Sequence, residues 1–162
     1  MCQNCGCLAN TLVNELTEEH DTVVALIRSA AQHQAAGRVS HLAAVCRQIT
    51  AVLTAHTIVE EEGLFPELVD EFPEHLDVLI GEHRRVEQVL GEAALGVPTD
   101  PGWPARVQAS LGLLREHILK EQDGVFPAAV IALDGEQWER VQTVRERSRL
   151  SQPPGVAAAR AS

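Results

Sequence analysis

The chain uses one stretch twice, and that stretch decides the fold: "HTIVEEEGLFPELV" from His56 to Val69, and "HILKEQDGVFPAAV" from His117 to Val130. The copies stand 61 positions apart. They share a histidine, a glutamate four residues later, a glycine, a Phe-Pro pair and a valine. Internal repeats reveal architecture, so this one indicates two similar halves within one structure.

Apolar residues recur at helical spacing in four long stretches, and none of the stretches shows sustained strand alternation. The breaks between them contain Gly37, residues 66–73 and the segment "GVPTDPGWP" at 96–104. Long helices with short connections predict an all-α fold, an up-down-up-down antiparallel four-helix bundle. A shorter amphipathic piece around Trp138 predicts a fifth, C-terminal helix.

These patterns predict four regions along the chain. They are a cysteine-containing arm at 1–9, the bundle at 10–133, a short capping helix at 134–148 and a disordered tail at 149–162. The two Phe-Pro pairs, Phe65 with Pro66 and Phe126 with Pro127, are predicted to end helical segments and plug the bundle.

Composition narrows the functional classes. The 162 residues suit one domain with its own core, and the net charge of −10 disfavours nucleic acid or an anionic membrane as partner. No run approaches the ~18 apolar residues of a membrane span. The N-terminus "MCQNCGCLAN" lacks the features of a secretory signal, so a cytoplasmic protein is expected.

Three of the four cysteines crowd near the N-terminus as Cys2, Cys5 and Cys7. In a reducing compartment such a cluster indicates metal or redox chemistry before disulfides. Three thiols leave a tetrahedral site one ligand short, so a flexible, exposed arm is the favoured interpretation. A redox or metal-delivery arm is the alternative.

Four histidines, His20, His56, His83 and His117, stand on the apolar stripes of four different helices. Residues of antiparallel neighbours lie level when they are equidistant from the turn between them. The midpoints of successive pairs fall beside Gly37, between residues 69 and 70, and at residue 100, each inside a predicted break. All four imidazoles are therefore expected to meet at one height in the core.

A glutamate follows three of these histidines by four residues: Glu60 after His56, Glu87 after His83 and Glu121 after His117. Such pairs share a helix face and can hold a common ion. Buried carboxylates are costly unless paired, and no lysine or arginine lies on these stripes. A dinuclear metal site is therefore favoured over a structural polar core. Imidazole and carboxylate without thiolate suit iron first, then manganese or zinc.

These motifs resemble the hemerythrin family, specifically the bacterial HHE cation-binding domains, over residues 10–133. The resemblance rests on "EEHDTV", "HTIVEEEGLFP", "EHRRVE" and "HILKEQDGVFP". It implies a non-haem di-iron centre with a bridging oxygen, terminal histidines and two bridging carboxylates. Carried onto this chain, the terminal ligands are His20, His56, His83 and His117, and the bridges are Glu60 and Glu121.

The repeat also suggests an asymmetry. When His20 is set on His83, Val24 stands opposite Glu87, so only the second half offers Glu87 as a further ligand. The iron at His20 and His56 is then expected to keep an open position. The family's oxygen carriers resemble this chain but have a histidine where Glu87 stands. A carboxylate there favours ferric iron, which makes reversible oxygen carriage less expected.

The resulting hypothesis is a protein that binds or senses dioxygen or nitric oxide at an open iron position. The alternatives are a di-iron enzyme acting on peroxide or nitric oxide, and an iron store or donor for iron–sulfur-centre repair. The expected partners are a diatomic molecule or peroxide, with a redox or iron-acceptor protein as a further candidate, and neither nucleic acid nor membrane.

Other polar residues near the ligands receive secondary predictions. His75 is a candidate to line an entrance, although a surface position is favoured. Several glutamates beside the ligands have a helical phase that points outward, and some are candidates to orient a histidine through its second nitrogen. These are Glu18, Glu19, Glu61, Glu62 and Glu82.

Overall fold

The computed structural model describes residues 3–151, and every regular element in this range is helical. The elements in chain order are α1 (Gln3–Ala35), α2 (Val39–Ile58), π1 (Val59–Leu64), α3 (Phe65–Leu68), α4 (Pro73–Gly91), α5 (Trp103–Lys120), π2 (Glu121–Val125), α6 (Phe126–Ala132) and α7 (Gly135–Leu150). The predicted all-α class is confirmed for this part of the chain.

The long helices contact one another in a closed ring: α1 packs on α2, α2 on α4, α4 on α5 and α5 on α1. These are the neighbours that the predicted four-helix bundle requires. The C-terminal helix α7 packs over α1, α2 and π1, with Trp138 and Val141 buried beneath it. A capping box starts α7, in which the Asp134 side chain accepts from the Gln137 amide and the Gln137 side chain accepts from the Asp134 amide.

The apolar core consists of two clusters. One contains Val23, Leu42, Leu90 and Trp103, near the turn between α1 and α2, and the other contains Leu12, Leu64, Leu79, Phe126 and Trp138. On α1 and α4 the ligand histidine falls between these clusters in sequence, and on α2 and α5 the histidine and the glutamate lie where one cluster passes into the other. The protein therefore sandwiches a polar layer between two apolar ones, which shields that layer from water.

The Phe-Pro pairs do not end helical segments, contrary to the prediction. Helical hydrogen bonding runs through both pairs because each is preceded by a π-helical turn, in which the Phe65 amide donates to the Glu60 carbonyl and the Phe126 amide donates to the Glu121 carbonyl. Each proline then occupies the second position of a new α-helix, where its missing N–H is tolerated. The plug prediction agrees with the burial of both phenyl rings, which are 2% exposed.

The N-terminal segment also differs from the prediction. Residues 3–9, predicted as an arm, form the first turns of α1 because Leu8 and Ala9 extend its apolar stripe into the second core cluster. Cys7 is exposed on this helix. Cys2 and the predicted tail from residue 152 onward lie outside the described residues.

One segment of the described chain, Val39–Leu68, is long and apolar enough to cross a membrane by length and composition. The sequence reading missed it because His56, Glu60 and other polar residues interrupt the run. More than half of its most apolar window, 56%, is buried inside the protein. The core helix of a soluble protein has the same properties, so this segment is weak evidence for a membrane.

Candidate metal centre

Six of the seven residues predicted as metal ligands meet in the polar layer. His20 comes from α1, His83 from α4, and each copy of the repeated stretch contributes a histidine and a glutamate. The structure groups them into two overlapping sets, His20, His56, Glu60 and Glu121, and Glu60, His83, His117 and Glu121. All six side chains are buried, and both glutamates are 0% exposed. The prediction that the four imidazoles lie level therefore agrees with the structure.

Each glutamate presents one oxygen to each half of the cluster. Glu60 places Oε1 at 3.0 Å from His56 Nε2 and Oε2 at 3.4 Å from His83 Nε2. Glu121 places Oε2 at 3.1 Å from His20 Nε2 and Oε1 at 2.8 Å from His117 Nε2. Two donors at right angles on one ion, each about 2.1 Å from it, are about 3 Å apart. The carboxylates are thus placed to bridge two ions, one for each histidine pair.

Seven of the eight donor atoms are buried and have no hydrogen-bond partner among the described residues. Among the described residues, the atoms in this condition include His56 Nε2, His83 Nε2, His117 Nε2 and all four oxygens of Glu60 and Glu121. Buried polar atoms are normally satisfied, because each unsatisfied one costs about 1–3 kcal/mol. Seven convergent atoms without partners, all of ligand types, fit a pair of metal cations.

Glu87 does not join the cluster, which corrects its assignment as a ligand. Its side chain is 41% exposed and accepts a hydrogen bond from Arg84 at 3.0 Å on the outside of α4. Glu60 and Glu121 stand where an α-helix passes into a π-helical turn, whereas α4 has no such turn at Glu87. The predicted difference in the number of ligands between the two ions depended on Glu87 and is therefore not supported, because both histidine pairs share the same two carboxylates.

Three glutamates were predicted to point outward. Each instead contacts the second nitrogen of one ligand histidine. Glu19 contacts His56 Nδ1 at 2.9 Å, Glu82 contacts His117 Nδ1 at 2.9 Å and Glu61 contacts His83 Nδ1 at 2.8 Å. Glu19 and Glu82 are only 4% exposed, so their predicted outward phase is wrong. The predicted orienting role agrees with these contacts, which fix the imidazole rings and strengthen Nε2 as a donor.

A cation stands behind each of these glutamates, and none of the three was predicted from the sequence. Arg145 binds Glu19, Lys120 binds Glu82 and Arg84 binds Glu61. Arg145 is the most buried of them, with a side chain that is 2% exposed. The Glu-His dipeptide at Glu19 and Glu82 occurs four times in the chain, so it does not by itself identify these glutamates or their cations. The cations come from other turns or helices, so spacing alone does not reveal them.

Without a metal ion, this arrangement makes His56 and His83 hold protons. Burial lowers the pKa of His56, but Glu60, Glu19 and Glu121 raise it to about 10. Burial likewise lowers the pKa of His83, but Glu60, Glu121 and Glu61 raise it to about 9. Burial raises the pKa of Glu19, while His56 and Arg145 lower it to about 2. Protonated imidazoles therefore balance the buried carboxylates until metal ions replace the protons.

Metal uptake near pH 8 is expected to release protons, about two from His56 and His83 together, because a ligating Nε2 must be deprotonated. These pKa values lie above that of a free histidine. The stabilisation by the protonated pairs is thus complete below about pH 6.5 and is lost as pH rises through 9 to 10. Calorimetric titration in buffers of different ionisation enthalpy measures the release, and no proton release at pH 8 would contradict this account.

Aromatic rings flank the cluster symmetrically. Phe126 stacks on His20 with a centroid distance of 5.5 Å, and Phe65 stacks on His83 at 6.2 Å. Both phenylalanines follow the buried glutamate of their repeat by five residues, and both are buried. They seal the two ends of the polar layer against water, which strengthens electrostatic interactions within it.

The remaining candidates lie further out. His75 is exposed and lines an apolar cleft of about 210 Å³ between α4 and the π2–α6 region. It does not belong to either ligand set. Glu62 is 55% exposed and binds Arg147, and Glu18 is exposed on α1, as its predicted outward phase requires. None of these three side chains contacts a ligand histidine in the described interactions.

The helices and the two ligand sets define an all-helical protein built around a buried histidine–carboxylate centre. The family model of the hemerythrin HHE cation binding domain matches residues 11–129. No curated protein and no solved structure gives a match. Since the family match spans most of the chain, the chain belongs to the hemerythrin family of HHE cation-binding domains.

Proposed function

We propose that this protein holds two iron ions in an up-down-up-down four-helix bundle and binds or senses dioxygen or nitric oxide there. The observation that carries the proposal is the pair of buried carboxylates, Glu60 and Glu121, each of which faces both histidine pairs. A single ion would need neither four imidazoles nor two carboxylates turned in opposite directions. The imidazole and carboxylate donors, without thiolate, favour iron, then manganese or zinc.

The protein donors leave room for a small ligand at both ions. Each ion would be held by two imidazoles and by one oxygen from each of Glu60 and Glu121. Four protein donors do not fill six-coordination, even with one further shared oxygen. The open position is thus not restricted to the ion at His20 and His56. The prediction of that restriction depended on counting Glu87 as a ligand. The preference for ferric iron that rested on Glu87 also falls, which removes that argument against reversible binding.

The chain's own side chains keep the site prepared for such a ligand. Bound iron would supply a Lewis acid and a reversible electron source. Glu19, Glu61 and Glu82 hold their histidines in one orientation, and Phe65 and Phe126 exclude water. A water-poor, rigid site favours a neutral diatomic molecule over hydrated anions. A cytoplasmic location is part of the proposal.

Reversibility is the test of this function. Metal-free protein is loaded anaerobically with ferrous iron, and its visible spectrum is recorded on admitting oxygen, on removing it, and with nitric oxide. Two irons per chain with a band that appears and disappears over several cycles support a binding or sensing protein. A band that forms once and persists, with turnover of peroxide or nitric oxide, supports the enzyme alternative. Transfer of iron to an apo acceptor protein supports the donor alternative.

A further inference from the structure

The support behind the four ligand histidines is uneven. His56, His83 and His117 each contact a glutamate through Nδ1, at 2.8 to 2.9 Å. His20 is as buried as the others, at 1% exposed, yet its Nδ1 has no hydrogen-bond partner among the described residues. The polar layer thus contains one ligand histidine without a carboxylate behind it.

The internal repeat explains which residues are missing. The shift of 61 positions that sets His56 on His117 places Gln122 where Glu61 stands in the first copy. The shift of 63 positions that sets His20 on His83 places Asp21 where Arg84 stands. The Glu61–Arg84 pair that supports His83 is therefore replaced by a neutral amide and an anion beside His20.

A surface cleft lies beside His20. Asp21 and Gln122 line a surface cleft of about 580 Å³ together with Phe126, the ring that stacks on His20. On the His83 side, Glu61 is only 14% exposed and is closed over by Arg84. The cleft therefore begins where the supporting ion pair is absent, and the two ends of the polar layer differ in charge.

We propose that the two metal positions are unequal and that the position at His20 and His56 is filled second and emptied first. This inference rests on the two-ion site proposed above. A carboxylate that accepts from Nδ1 orients the imidazole and makes Nε2 a stronger donor, and its loss typically weakens metal binding about 10- to 100-fold. Both positions share Glu60 and Glu121. Each also has one histidine with a carboxylate behind it, His56 at one position and His117 at the other. The difference therefore comes from Gln122 in place of a glutamate.

Because the two positions are unequal, the residues of this chain determine which ion stays and which exchanges. The ion at His83 and His117 has a carboxylate behind both imidazoles, through Glu61 and Glu82. It would remain as the resident ion. The ion at His20 and His56 lies nearer the cleft and would exchange with free metal. A site with one resident and one exchangeable ion can follow the supply of iron as well as bind a gas.

Stepwise metal titration tests the proposal. Ferrous iron is added anaerobically to the metal-free protein in the presence of a competing chelator, and native mass spectrometry counts ions per chain. Two steps about 10- to 100-fold apart in affinity are expected. Gln122→Glu should tighten the weaker step, and Asp21→Arg combined with Gln122→Glu should tighten it further. Glu61→Gln should weaken the tighter step instead.

Gln108→Glu is the matched control, because it adds the same negative charge on α5 beside the end of α1 where Gln34 lies. The new carboxylate still accepts the hydrogen bond from Gln34. It should change neither step. Two ions bound with equal affinity, or a weaker step that does not respond to the Gln122 variants, would overturn the inequality while leaving the two-ion site standing. Failure of the wild-type protein to bind two ions would instead refute the proposed function.

Discussion

Replacing Glu60 with alanine is expected to lower the metal content from two ions per chain to one or fewer. Glu60 is completely buried and gives one oxygen to each histidine pair, so its removal takes a donor and a negative charge from both positions. Mutation of residues that merely orient ligands already costs about 10- to 100-fold in metal affinity, and loss of a shared ligand should cost more. Metal analysis after anaerobic loading and desalting measures the effect.

Two variants make this result specific. Glu60→Gln keeps the size of the side chain and removes its charge, so it separates loss of the ligand from creation of a cavity, and it should also lose metal. Glu87→Ala should retain two ions, because Glu87 binds Arg84 on the surface. Full metal content in Glu60→Ala, or loss of metal in Glu87→Ala, would show that the bridging assignment is wrong.

Replacing Arg145 with methionine is expected to lower the free energy of unfolding of the metal-free protein by about 3 kcal/mol or more. Arg145 is 2% exposed and donates to Glu15 and Glu19, each at 2.9 Å. Methionine fills similar space but leaves the buried Glu19 carboxylate without its arginine. Breaking one side of a buried ion pair costs about 3–5 kcal/mol, because the remaining charge stays desolvated.

Urea denaturation of the metal-free protein measures this loss, and Arg147→Met provides the control on the same helix. The pair between Arg147 and Glu62 is more than half exposed, so its loss should cost less than about 1 kcal/mol. Adding Glu19→Gln to Arg145→Met should recover part of the stability, since it removes the buried charge that has lost its arginine. Equal effects of the Arg145 and Arg147 variants would contradict the role assigned to the buried pair.

The level arrangement of the ligands was accessible from sequence because it depends on geometry alone. All α-helices rise by the same amount per residue, so equal distances from a turn place two residues side by side. The positions of His20, His56, His83 and His117 on apolar stripes then identify the residues that face inward. The repeat supplies the matching glutamates, and six of the seven predicted ligands meet in the structure as a result.

The error at Glu87 shows the limit of spacing as evidence. A glutamate four residues after a histidine looks the same in sequence whether it faces the core or the solvent. At Glu60 and Glu121 the chain enters a π-helical turn, which changes the rotation per residue and the direction of the side chains. The residue types of α4 do not show that Glu87 points away from the core. The structure shows it, because Arg84 donates a hydrogen bond to Glu87 on the outside of the helix.

The charged residues behind the histidines were out of reach for a different reason. Glu19 precedes His20 in sequence but binds His56 of the neighbouring helix, and its arginine comes from α7, 126 positions away. Such contacts depend on how helices are placed side by side, which periodicity within one helix does not determine. The contrast between Glu61 and Gln122 was visible in the repeat, yet its meaning required knowledge that Glu61 contacts His83.

Anomalous diffraction from crystals of the iron-loaded protein tests the central claim most directly. We expect two peaks per chain in the polar layer, one bound by His20 and His56 and the other by His83 and His117, with Glu60 and Glu121 contacting both. A single peak, peaks at the N-terminal cysteines only, or a carboxylate of Glu87 bound to either ion would contradict the account.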